Sequence, residues 1–174
     1  MFYLLKLIKE VELHPKFFGP NLRETLKNKL TAEVEGTVSG KYGFVAAVPD
    51  VEKYGQGKIR EGTGFATFDV TYFCIVMRPL KGEVMDCVVT SVNKVGFFAE
   101  AGPVQIFVSN HLIPEDFDFN AMEDSQFVTT DESIRIRQGT EVRVRIVGTR
   151  IDATEMFCVA TIKEDFLGVV GDPT

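Results

Sequence analysis

The chain of 174 residues contains no tryptophan, only two histidines and only three cysteines, and each shortage excludes something. Cys74, Cys87 and Cys158 are widely spaced among apolar neighbours, with no CxxC pair and no Cys/His cluster. Neither a disulfide framework nor a zinc site is supported, and the simple reading is three buried free thiols in a reducing compartment. His14 and His111 have no Ser, Cys or Asp at motif spacing, and the acids fall in no metal or acid–base signature. The expectation is a protein with no catalytic residues, no cofactor and no metal. Long apolar runs are missing too. The opening stretch from Met1 to His14 is broken by Lys6, Lys9, Glu10 and Glu12, leaving too little for a signal-peptide core or a membrane span. The expectation is a soluble intracellular protein with no membrane partner. A basic surplus is also lacking: the net charge of −6 argues against a general nucleic-acid coat protein.

What is present is apolar surface. Hydrophobic residues make up 45% of the chain and the mean hydropathy is +0.06, enough to fold rather than stay disordered. The 15 Phe and 4 Tyr fit a Phe-rich core, with an apolar face kept for a partner as the alternative. A domain takes roughly 100–200 residues, so the length allows one full domain or two small ones. The charge is uneven. Residues 1–80 carry 11 basic and 9 acidic side chains, while residues 81–174 carry 8 and 16. Seven of those later acids crowd between Glu115 and Glu132.

Along the chain, Leu5, Leu7, Val11 and Leu13 share one parity and Lys6, Glu10 and Glu12 the other, which predicts a half-buried strand. The turn residues Pro15, Gly19 and Pro20 follow. Leu22, Leu26, Leu30 and Val34 then recur every fourth residue and predict a helix, with Asn21 as N-cap, Glu24 in capping-box position and Gly36 as the stop. Strands are expected over 42–48, 64–70 and 72–77. Between the first two lies a loop with Gly55, Gly57, Gly62 and Gly64. Gly57 to Gly62 has the length of a phosphate-binding loop, but Thr63 stands where its lysine should be and a strand follows instead of a helix. A flexible tip or a close backbone contact fits better. Arg78-Pro-Leu-Lys-Gly82 marks a joint between two domains, 1–80 and 81–174.

Beyond the joint, strands are expected over 83–92, 96–101, 104–109, 141–147 and 155–162, with an acidic insertion, read as a mobile loop, at about 114–133. Five short strands with a longer excursion after the third is the pattern of an OB-type barrel. Val95-Gly96-Phe97-Phe98-Ala99-Glu100, Gly102 and Ile106-Phe107-Val108-Ser109 resemble the second and third strands of RNA-binding OB domains, such as those repeated in the largest ribosomal small-subunit protein. The resemblance implies a stacking role for Phe98, beside Lys94. Val95 stands where many members have an aromatic, and Val108 where many have His. Arg135 and Arg137 alternate with Ile134 and Ile136, and Arg143 and Arg145 with Val142, Val144 and Ile146. Such arginines line one sheet face, either to neutralise phosphates or as a solvated face answering nearby acids. Weak binding of single-stranded RNA is the reading.

Over nearly its whole length the sequence resembles the larger stalk subunits of eukaryotic and archaeal RNA polymerases, the polymerase II type most of all. The stretches that carry this are Leu13-His-Pro-Lys-Phe-Phe-Gly-Pro20, Val34-Glu-Gly-Thr-Val-Ser-Gly-Lys-Tyr-Gly-Phe44, Lys81-Gly-Glu-Val84, Val92 to Pro103, Val147-Gly-Thr-Arg150 and Ile162-Lys-Glu-Asp-Phe-Leu-Gly168. The resemblance implies an α+β, mostly β chain, with a truncated ribonucleoprotein-like domain ahead of the five-stranded OB barrel. It implies a nuclear, non-catalytic subunit in a heterodimer with a smaller helical stalk subunit. Docking on the polymerase II core near the clamp, a part in initiation, and contact with nascent single-stranded RNA of little sequence preference are implied as well. The docking tip by that analogy is His14, Pro15, Phe17, Phe18, Gly19 and Pro20, with the loop carrying Gly55, Gly57, Gly62 and Gly64. A free-standing OB-fold RNA-binding adapter is the alternative.

Overall fold

In the computed structural model, which describes residues 1–121 and 125–171, the alternation at the start of the chain becomes strand β1, Phe2–Leu13. Val11 and Leu13 are fully buried, Leu5 and Leu7 partly so, and Lys6 and Glu10 face out. Helix α1, Leu22–Val34, buries Leu26, Leu30 and Val34, and fully burying a leucine contributes about 1.5–3 kcal/mol. Its start differs from the expected capping box. The Asn21 side chain makes no capping bond; instead the Asn21 carbonyl takes both the Thr25 N–H and the Thr25 hydroxyl. Glu24 in the first turn still complements the helix dipole.

Strands β2 (Val38–Ser39), β3 (Gly43–Tyr54), β4 (Lys58–Ile59) and β5 (Ala66–Met77) complete this unit. The antiparallel order is β1-β5-β3-β2, with β4 also on β5. The two strands expected over 64–70 and 72–77 are one, because no turn residue interrupts the run and Phe68, Val70, Tyr72, Cys74 and Val76 keep a single inward parity. Strand β3 runs past Pro49 by shifting register between Ala47 and Asp50. A proline, which cannot donate to the ladder, sits at such irregularities. The Val48 N–H next to it is taken by the Glu35 carboxylate at 2.7 Å.

The chain divides between Arg78 and Pro79. The second unit contains β6 (Val84–Asn93), β7 (Gly96–Ala101), β8 (Val104–Ser109), β9 (Phe117–Asn120), β10 (Gln126–Thr129), β11 (Arg135–Ile136), β12 (Glu141–Ile151), β13 (Met156–Thr161) and β14 (Gly168–Val169). Strands β13-β8-β7-β6-β12 run side by side, and β13 pairs back onto β12, closing a five-stranded barrel. Closure removes the open edges of a small sheet. The pairing of β8 with β13 is parallel and the rest are antiparallel.

The acidic insertion departs from the mobile-loop reading. Its described residues form β9 and β10, which join β11 just beyond it in a small sheet, β11-β10-β9, with Phe127 and Ile136 buried and the Phe119 and Phe127 rings 5.5 Å apart. The alternation of Phe117 and Phe119 with Asp116 and Asp118 makes this possible, since acids and rings leave the strand on opposite sides. All three cysteines are free and buried. Burial pushes the Cys87 thiol up to about 12 and Cys158 to about 11, so neither is poised as a nucleophile.

Candidate nucleic-acid interface

Adjacent phenylalanines on β7 have opposite fates. Phe97 is completely buried in the barrel and Phe98 points outward, half-buried. Gly96, just before them, makes the turn into β7 possible. Its φ is +152°, and a Cβ there would collide with the Val108 carbonyl of β8. In the β7/β8 register Phe98 faces Phe107, and in the β8/β13 register Phe107 faces Val159. The two rings lie 4.8 Å apart, tilted by 41°. This row of two rings and a valine is an outward apolar platform of the kind on which bases stack.

One reading from the resemblance changes here. Val108 is fully buried between β-barrel strands and is not a contact position, because Ile106 and Val108 share the inward parity. Phe107 is the outward residue. Sequence reasoning missed it, although the alternation Ile106-Phe107-Val108 carried the signal. Val95 is 63% exposed at the hairpin turn.

Lys94 lies in that turn. The Asn93 carboxamide accepts N–H bonds from Val95 and Gly96 at 2.9 and 3.1 Å, which fixes the turn and leaves Lys94 exposed. Among the described residues Lys94 has no ion-pair partner. The Asn110 N–H bonds the Val95 carbonyl, and so joins the turn to a short 3-10 segment, Asn110–Leu112. A cleft of about 360 Å³ opens here, lined by Lys94, His111, Phe117, Phe119 and Lys163. Lys163 is only loosely held by Glu115, at 3.8 Å with that carboxylate 96% exposed. Phe117 and Phe119 are further residues that the acidic composition of the segment hid, while His111 and Lys163 come from outside it.

The arginines are placed differently. Arg143 and Arg145 do leave β12 on the outward side, opposite buried Val142 and Val144. Strand β6 separates them from β7. Arg143 makes a bidentate pair with Asp86, at 2.7 and 3.0 Å, which holds the Asp86 carboxyl below its usual range. Arg145 is paired with Glu164. Arg135 reaches Glu132 at 4.0 Å, and together with Arg137 lines a separate cleft of about 710 Å³ beside Val169 and Val170. Arg143 and Arg145 thus both have acidic partners on this face.

In the first unit the two expected tip segments meet. The His14 and Phe65 rings are 5.0 Å apart, edge to face, and Gly64 packs near Pro15. Phe17 and Phe18 are 45% and 43% exposed, while Gly19 and Pro20 are exposed in the turn that follows. The glycine loop is not merely flexible. Strand β4 pairs Lys58 with Thr67 and Ile59 with Ala66, and a side chain at Gly57 would meet the Phe68 ring at 2.7 Å. Gly55, Gly57, Gly62 and Gly64 therefore edge a folded hairpin.

Residues 8–64 match the SHS2 domain found in N terminus of Rpb7p/Rpc25p/MJ0397, and residues 78–158 match the S1 RNA binding domain. The chain is 57% identical over 173 residues to DNA-directed RNA polymerase II subunit RPB7 of Glycine max, covering 99% of this chain and 98% of that protein. It is equally close, 57% over 173 residues with the same coverage, to DNA-directed RNA polymerase II subunit 7 of Arabidopsis thaliana. The chain belongs to the RNA polymerase II subunit RPB7 family. Against DNA-directed RNA polymerase V subunit 7 of Arabidopsis thaliana the identity falls to 30%, over 86% of this chain and 85% of that one, so within one plant the polymerase II subunit is much the nearer relative. An RPB7-family chain is a non-catalytic subunit of RNA polymerase II, and its barrel is an S1 domain of OB type.

Proposed function

We propose that this chain is the larger subunit of the polymerase II stalk, working in the nucleus. It pairs permanently with a smaller helical subunit and docks on the polymerase core near the clamp through the His14–Pro20 and Gly55–Gly64 tip. It contributes to initiation and guides emerging single-stranded RNA. The observation that carries the RNA reading is the outward Phe98–Phe107 pair, 4.8 Å between rings, on the strand that follows the turn carrying Lys94, a lysine with no ion-pair partner among the described residues. Aromatic platforms next to positive charge bind single strands with little sequence preference.

The heterodimer reading is supported by the first unit. Phe2, Leu4 and Ile8 are 62%, 64% and 71% exposed on the outward parity of β1, in register with half-buried Ile75 and Thr71 next to Phe73 on β5. Permanent subunit contacts are large and apolar, commonly above about 2,000 Å², and this face is apolar in the way that such a contact requires.

Affinity purification of the tagged protein from its own cells tests the proposal. Near-stoichiometric recovery of a small helical subunit with the large polymerase II subunits is the expected result. Recovery of RNA without polymerase would overturn it in favour of a separate RNA adapter.

A further inference from the structure

Two rings make a short platform. One OB fold holds roughly 4–16 nucleotides of a single strand, so a strand seated on Phe98 and Phe107 continues over further surface. Toward β13 the row of rings ends in Val159, and on β12 the charges of Arg143 and Arg145 are already taken by Asp86 and Glu164. Along β8 the next residue of Phe107's parity is Ser109, about 6.5 Å further on. Asn110 and His111 follow it, and both line the cleft shared with Lys94.

That cleft has fixed walls. Ile113 and Phe127 line it and are themselves buried. Phe117 and Phe119 leave β9 on one parity, both half-buried, while Asp116 and Asp118 leave on the other. The Asp116 carbonyl accepts the Thr130 N–H and hydroxyl at 2.9 and 3.0 Å, which pins the start of β9. The Leu112 carbonyl accepts the Ile162 N–H and the Thr161 hydroxyl, both at 3.1 Å, which anchors the chain at Lys163. The cations are open to a ligand. Lys94 has no ion-pair partner among the described residues, and the exposed Lys163–Glu115 pair at 3.8 Å contributes little. A volume of about 360 Å³ lies at the small end of ligand sites, about 300–1,000 Å³, the scale of one nucleotide rather than a run of them.

We infer that this cleft takes one nucleotide of the bound RNA, unstacked from its neighbours. The base lies against Phe117 and Phe119, the adjoining phosphates meet Lys94 and Lys163, and His111 adds a polar contact. Splayed bases on aromatic side chains beside positive charge are the common mode of single-strand recognition. The RNA site thereby runs off the barrel onto an acidic segment, because the pleat of β9 sends Asp116 and Asp118 away from the rings. The inference rests on the RNA reading of the barrel and adds to it a second, separate place of contact.

The test uses the full-length chain and a labelled oligouridine of about 12 nucleotides, within the length that one OB fold covers, read by fluorescence anisotropy. Phe117→Ala should weaken binding about fivefold or more at fixed salt. Phe117→Leu keeps an apolar side chain on the small sheet and should lose affinity with Tm preserved, so it decides the matter where Phe117→Ala fails to fold. Lys163→Ala should lower the dependence of log affinity on log salt by about 0.7, and benzoylphenylalanine at position 117 should crosslink to the oligonucleotide. Wild-type affinity in Phe117→Leu together with a wild-type salt slope in Lys163→Ala overturns the inference; where Phe98→Ala still weakens binding, the RNA reading of the barrel stands without it. No binding of the oligonucleotide by the wild-type chain instead overturns the RNA reading on which the inference rests.

Discussion

Phe97 and Phe98 are the same residue type, one peptide apart, so exchanging each for alanine separates fold from function. Phe97 is 0% exposed, and removing a buried phenyl ring costs about 3–5 kcal/mol. Small domains hold about 5–15 kcal/mol in all, so Phe97→Ala should lower Tm steeply. Phe98 is half-buried and its main partner is the Phe107 ring at 4.8 Å, an aromatic contact of about 0.5–1.5 kcal/mol beyond its area. Phe98→Ala should therefore leave the barrel folded. If a base stacks on this ring, the lost contact is about 1–3 kcal/mol per base, which is about 5- to 160-fold in Kd. Fluorescence anisotropy with a labelled oligopyrimidine RNA, at one fixed salt concentration, measures it. Phe107→Ala should behave alike, and the double variant should lose less than the sum, because the two rings form one platform. Unchanged affinity in both single variants, with Tm preserved, would refute the platform and leave the rings as surface packing.

Lys94→Ala should reduce the dependence of log affinity on log salt by about 0.7, the value of one phosphate contact to a single strand. Arg143→Ala should not change that slope, since its charge is already spent on Asp86; the opposite ranking would place RNA on β12. Titration with an aromatic disulfide reagent at pH 8 should find no reactive thiol in the native protein and three after denaturation, because Cys74, Cys87 and Cys158 are all buried. Fast native labelling of Cys87, whose pKa lies at about 12, would contradict its position. Asp131 is held at about 2 by the hydroxyls of Thr129 and Ser133 and by the Ser133 N–H. Its folded pKa is depressed, so its contribution to the 129–134 turn is complete above the ordinary carboxylate range and is lost as pH falls through about 2. An NMR titration of the side-chain carboxyl should show that low midpoint, and Ser133→Ala should raise it.

The sequence made the barrel and the helix legible because each rests on periodicity alone. Leu22, Leu26, Leu30 and Val34 read as a helix, because a strand that put them on one face would put Glu24 and Asn28 there as well, and five short strands separated by turn residues leave few architectures. Phe98 was singled out by family resemblance, and the pleat of β7 turns it outward beside Phe107. Phe107 was not, because resemblance aligned Val108 to a contact position while the pleat of β8 assigns that residue to the interior. Asn21 illustrates a second limit. A residue type suited to capping does not cap unless its side chain is oriented toward the free N–H groups, and here Thr25 takes up the carbonyl instead. The pairing of Arg143 with Asp86 was invisible for a different reason. Their separation of 57 residues is bridged only once β6 and β12 are neighbours, so charge parity along β12 identified the face and not its neutralisation. The acidic segment misled by composition: seven acids suggested a solvated loop, but alternation with Phe117 and Phe119 was enough for a sheet.

The pairing of β1 with β5 runs from Phe2 opposite Met77 to Leu13 opposite Ala66. On the ribosome, β1 is therefore made first in this unit and β5, its sheet neighbour among the described residues, last. At about 5–20 residues per second, the strand waits roughly 3–13 s for that neighbour to be synthesised, with apolar residues on both of its faces. The sheet of the nascent first unit cannot be completed until residue 77 has cleared the exit tunnel, and β1 keeps its backbone groups unpaired until then. Translation speed across residues 14–65 thus sets how long β1 stays without its partner strand.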